Sequence, residues 1–191
     1  MAGNKKKKTS SKKKKGGSLK QNNAPANLQN IDDVLSQADT ALESSNIESA
    51  MQLYTYAVNQ LRSKIQALST SIPSSSEEKE SNMLLLSKVL GKLAEGKVSM
   101  GDQHGGQEDF LEATQLLSGD GPTKNPVASA QWKEARSNLY LYLGQLSCSN
   151  DALEAFTKAI GDLRACASIL EEVVKSNPSD ETIQTAFVDT K

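Results

Sequence analysis

Histidine and cysteine are almost absent from this chain of 191 residues, and most catalytic chemistry goes with them. The single histidine, His104, lies in the run Asp102-Gln103-His104-Gly105-Gly106 and has no second imidazole with which to build a metal site or an acid–base pair. The two cysteines, Cys148 and Cys166, match no metal-ligand spacing and fall within apolar helical patterns, so both are expected as buried thiols of a reducing compartment. A phosphate-binding glycine loop is lacking too. Gly119-Asp120-Gly121-Pro122-Thr123-Lys124 has the wrong spacing, and its proline removes an amide. No nucleophile elbow occurs. No apolar run approaches the length that spans a bilayer, and the charged N-terminus has no apolar segment behind it, so a soluble intracellular protein without membrane contact is expected. These absences leave an enzyme without parts and point to a non-enzymatic protein that needs no metal or other cofactor.

Charge is abundant, but it is divided by sign along the chain. Met1 to Lys20 carries nine lysines and no acid, among them Lys5, Lys6, Lys7, Lys8, Lys12, Lys13, Lys14 and Lys15. With Gly16-Gly17 and the Gln/Asn/Pro stretch that follows, residues 1–30 hold too little apolar surface to offset chain entropy, so a disordered basic tail is expected there. Taking those nine lysines from 22 basic residues leaves 13 against 23 acids, a balance of −10 for the remainder. The overall net charge of −1 therefore joins a cationic tail to an anionic body, and an anionic body suits a basic partner. The lysine runs admit three readings: a signal for a nuclear import receptor, a direct contact with nucleic acid, or a solubilising tail.

The remaining chain, 31–191, carries helical periodicity. Val34, Ala38, Ala41 and Leu42 make one apolar stripe, and after Ser44-Ser45-Asn46 a second runs from Ile47 to about Ser69. Ser76 can cap a helix that starts at Glu77 to Ser81, where acids favour an N-terminal turn, and Met83 to Met100 reads as the next helix, with Leu86, Leu90, Leu93, Ala94 and Val98 inward. Gly101-Asp102 is a turn, and its partner helix runs to about Leu117. Helices resume near Val127, with Trp132, Ala135, Leu139 and Leu143 on one stripe, and a long helix follows from Asp151 to Ser176, in which Ile160, Leu163, Ala167, Leu170 and Val174 are expected to cover a neighbour. Three of these helices share a small–aromatic–small triplet spaced i, i+4, i+7: Ala50–Tyr54–Ala57, Gly106–Phe110–Ala113 and Ala152–Phe156–Ala159. This spacing places the three residues on one stripe, where small residues admit a neighbouring helix and the ring fills the gap. The pattern resembles the second helix of a tetratricopeptide repeat. The expected fold is an all-α tetratricopeptide-like helical-repeat solenoid of about three irregular repeats, at about 31–69, 83–117 and 129–176, with 177–191 starting a further helix.

One stretch carries a closer likeness. Leu139-Tyr140-Leu141-Tyr142-Leu143-Gly144-Gln145-Leu146-Ser147, followed by Asp151-Ala152-Leu153-Glu154-Ala155-Phe156, resembles the fungal tetratricopeptide-repeat family of dedicated assembly chaperones for large-subunit ribosomal protein number four. The lysine-rich start, Ala38-Asp39-Thr40-Ala41-Leu42, Gly101-Asp102 and Ser176-Asn177-Pro178 extend the resemblance over roughly 31–180, and family members are generally longer. The resemblance implies a chaperone that captures a newly made basic ribosomal protein of the large subunit, keeps it soluble and escorts it from cytoplasm to nucleus for ribosome assembly. The alternative is a general tetratricopeptide adaptor or co-chaperone scaffold. Such an adaptor grips an acidic peptide tail with Lys, Arg and Asn, which the acids of the first helix disfavour.

Placing the repeat frame on each first helix predicts the client-binding groove. The first helix offers Asp32, Leu35, Asp39, Leu42 and Glu43. The second offers Lys88, Gly91, Glu95 and Val98, and the third Glu134, Ser137, Leu141 and Gln145. Five acids against one lysine suit a basic client, although solvated helix faces carry such charges without any site. Tyr54, Phe110, Phe156 and Trp132 are expected to pack in the core.

Overall fold

A computed structural model of the protein describes residues 30–70 and 76–176. The expected basic tail and the helix start at 177–191 lie outside the described residues. Within them the chain is all-α, with six helices: α1 (Ile31–Glu43), α2 (Ile47–Thr70), α3 (Ser76–Ser99), α4 (Gln103–Leu116), α5 (Pro126–Leu146) and α6 (Ser149–Ser176).

Local chemistry explains where the helices begin and end. Side-chain oxygens of Asn30, Asn46, Asp102 and Asn125 accept from the amides of Asp32, Ser49, Gly105 and Ala128, so four helix starts have a donor satisfied by a cap. After α3, the amide of Asp102 donates to the Lys97 carbonyl and that of Gly101 to the Val98 carbonyl, with Gly101 at a φ of 89°. This Schellman closure needs a left-handed residue, which glycine adopts at least cost. Ser45, at a φ of 60°, closes α1 by the same two bonds without that advantage.

Each helix packs against the next in chain order, and α3 also touches α5. The main core gathers Val34 and Ala38 from α1, Tyr54 and Leu61 from α2, Leu86 and Leu90 from α3, Phe110 from α4 with Leu117 at its C-cap, and Leu139 and Leu143 from α5. Small residues let the helices approach. A Cβ on Gly106 would fall 2.5 Å from Cγ2 of Val98, and one on Gly96 would fall 2.2 Å from Sδ of Met51. Two triplet rings, Tyr54 and Phe110, are buried, while Phe156 is half-buried over Gly144.

Three expectations need correction. The helix start expected at Glu77–Ser81 and the helix expected from Met83 are one continuous helix from Ser76, with Glu77 and Glu78 in its first turn. Cys148 is exposed in the turn between α5 and α6, and only Cys166 is buried. On α6 the buried stripe is Ala155, Ala159, Asp162, Cys166, Leu170 and Val173, so of the five residues expected to cover a neighbour only Leu170 is buried. The buried stripe includes a charge. Arg136 of α5 donates to both carboxylate oxygens of Asp162 at 2.7 and 2.6 Å, and to the Leu117 and Gly119 carbonyls at 2.9 and 2.6 Å. An apolar-stripe reading keeps Asp162 outside, whereas a partner inside allows it to be buried. Trp132 packs in the core as expected, its indole donating to the Leu117 carbonyl at 3.0 Å.

Candidate binding cleft

α3 and α5 lie side by side at Gly91, where a Cβ would stand 3.3 Å from Cδ2 of Leu139. The missing side chain helps open a cleft of about 340 Å³ whose floor is apolar, formed by Gly91, Phe110, Ala135 and Leu139. Its rim is polar. Lys88, Lys92 and Glu95 come from α3, and Gln131, Glu134, Asn138 and Tyr142 from α5. Tyr142 stacks on Phe110 with ring centroids 5.0 Å apart and planes 10° from parallel, yet stays 37% exposed. One residue thus anchors in the core and presents an aromatic surface at the rim. Burial, and after it the neighbouring Glu95 carboxylate, raises the pKa of the Tyr142 hydroxyl.

The face continues onto α1 through Asp39, which accepts from the Tyr54 hydroxyl and lies 2.6 Å from Nζ of Lys92. The Lys92 ammonium also sits 5.8 Å from the centroid of the Tyr54 ring. Partial burial pulls the Asp39 carboxyl upward, but hydrogen bonds from Lys92 and Tyr54 outweigh it and hold the group below its ordinary value. Burial and the Asp39 carboxylate push the Tyr54 phenol far above its own.

The expected groove residues divide between this face and other surfaces. Glu95 and Glu134 line the cleft with Lys88 and Gly91, and Asp39 flanks it. Asp32 and Glu43 are exposed elsewhere on α1, and Leu35 packs half-buried against the core. Leu141 is half-buried and Ser137 fully buried, and neither lines the cleft. Lys92 and Tyr142 were not among the expected residues. Lys92 stands four residues from Lys88 and so shares its face, which the i, i+4 rule makes legible. Tyr142 carries no such mark, because the wall of α5 is rotated from the expected face.

Lys92 is committed to Asp39, while among the described residues no cation lies within ion-pair distance of Glu95 or Glu134 and no carboxylate within that distance of Lys88. The described residues together hold 20 acidic and 12 basic side chains, a net of −8. Among them no group of three or more His, Cys, Asp or Glu could hold a metal ion, and no helix is long and apolar enough to cross a membrane. The arrangement can hold a side chain with an apolar body and a polar end.

No protein-family model matches the chain, and no curated protein or solved structure matches it.

Proposed function

We propose that the chain is a tetratricopeptide-like helical-repeat binding protein, not an enzyme, that holds a newly made basic ribosomal protein of the large subunit on the face built by α1, α3 and α5. The observation that carries this reading is the apolar cleft between α3 and α5, with the Glu95 and Glu134 carboxylates on its rim and Asp39 beside it, in a body of net −8. A basic ribosomal protein without its RNA exposes uncompensated positive charge. An anionic surface substitutes for phosphate until RNA displaces it. The client implied by the resemblance is large-subunit protein number four, carried between cytoplasm and nucleus, with the lysine runs as the import signal.

Co-purification of the tagged full-length chain from cell extract at low and moderate salt tests the reading. Near-stoichiometric recovery of one basic ribosomal protein, weakened by salt, is the expected result. One observation favours the adaptor instead: Lys88 and Lys92 share the cleft with the acids. Recovery of a heat-shock protein, or calorimetric binding of an acidic peptide, would move the function there.

A further inference from the structure

We propose that the cleft between α3 and α5 is a pocket for an arginine side chain, and that Tyr142 and Glu95 select arginine over lysine. This deepens the reading of the chain as a holder of a basic client and rests on it. The floor of Gly91, Ala135 and Leu139 is apolar and suits the three-carbon stem of arginine, which gains by covering such surface while its head stays at the rim. The rim supplies what a planar guanidinium uses and a point-charge ammonium does not. The Tyr142 ring, held by its stack on Phe110, offers an exposed aromatic surface at the cleft wall. The Glu95 carboxylate beside it accepts from the Tyr142 hydroxyl and has further lone pairs for two N–H bonds. Glu134 adds a second carboxylate on the α5 rim.

The lysines of the cleft do not cancel this charge equally. Lys92 is neutralised by Asp39 at 2.6 Å, so it competes weakly for Glu95. Lys88 is exposed on the α3 rim and faces solvent. The cleft volume of about 340 Å³ admits one long side chain with part of its backbone, not a folded element. The occupant is therefore an extended segment carrying an arginine.

The test uses the full chain and three labelled Gly/Ser peptides, identical except for central arginines, lysines or glutamates, read by fluorescence anisotropy. The arginine peptide is expected to bind about tenfold tighter than its lysine twin. Glu95→Gln should remove most of that affinity, and Tyr142→Leu should equalise the twins. Tyr142→Phe keeps the ring and its stack, guards against a folding artefact in the leucine variant, and should retain the preference. Glu48→Gln, an exposed acid on α2, controls for general charge. Equal binding of the twins by the unaltered protein, or equal losses in Glu95→Gln and Glu48→Gln, overturns the arginine pocket. If a basic ribosomal protein still binds Glu95→Gln and Tyr142→Leu undiminished, the pocket falls and the client reading stands. Preference for the glutamate peptide, or binding of neither basic peptide nor basic client, sinks both.

Discussion

Helices α2 and α6 carry the same pattern and meet different fates. Aligned on their triplets, Tyr54 matches Phe156, Ala57 matches Ala159, Val58 matches Ile160 and Leu61 matches Leu163. Ala57 and Ala159 are both fully buried. The next positions part company. Val58 and Leu61 are 2% and 0% exposed, whereas Ile160 and Leu163 are 49% and 39% exposed. The difference is the number of neighbours. α2 lies between α1 and α3, while among the described residues α6 has extensive contact with α5 alone. An amphipathic period names the faces that can be buried, and only the neighbours decide which of them are.

The two helices also differ in how they are fastened. α2 is held by apolar burial and by the close approach of Met51 to Gly96, α6 in part by the Arg136–Asp162 pair. The largest effect is therefore expected at that pair. Arg136→Ala should cost about 3–5 kcal/mol, because it leaves the buried Asp162 carboxylate and the Gly119 carbonyl without their donor, while the Leu117 carbonyl keeps the Trp132 indole. Urea denaturation followed by circular dichroism measures the loss, and an unchanged midpoint would mean that α6 is held without the pair.

Next comes the aligned leucine pair. Leu61→Ala should destabilise the fold by about 3 kcal/mol. Leu163→Ala should cost less than about 1 kcal/mol, since its side chain already meets water. Equal losses in the same urea experiment would show that something covers α6.

A smaller contrast lies in two glycines. Nothing stands within 4 Å of a Cβ on Gly161 of α6, so Gly161→Ala should gain about 1 kcal/mol from helix propensity. Gly96→Ala must displace the Met51 thioether and should show no gain. Thermal melting of both variants decides the matter; a raised melting temperature for Gly96→Ala would mean that α2 and α3 separate more easily than their packing suggests.

The smallest effect is one of pH, at the α1–α3 end. Asp39 has a lowered pKa in the folded state, so its contribution is present above the unfolded carboxylate value and fades as pH falls through the folded one. Asp39→Asn should be less stable than the parent above about pH 4, and the gap should close below it. A stability difference that does not vary with pH would show that the aspartate acts by shape alone.

Much of this was legible in advance because it is local. Asn46, Asp102 and Asn125 announce helix starts by chemistry within three residues, and Gly101 announces a stop. Part of the cleft was legible for the same reason, since Glu95 and Glu134 follow from helical phase once the helices are placed. Tyr142 was not, because its exposure depends on which face of α5 lies along α3. Cys148 was misplaced because an apolar neighbourhood in sequence became a turn in space.

The sequence by itself determined an all-helical body, most helix boundaries to within a few residues, and the segregation of positive charge from that body. These properties arise from hydrogen bonds and periodicity within one or two turns of chain. Tertiary structure alone decided that Asp162 is buried, that Lys92 is spent on Asp39, that Tyr142 opens onto a cleft, and that Ile160 and Leu163 of α6 stay outside. Each depends on a partner on another helix, from 26 residues away for Arg136 and Asp162 to 53 for Asp39 and Lys92. Burial and charge pairing are properties of two surfaces together, and periodicity along one helix specifies only its own half.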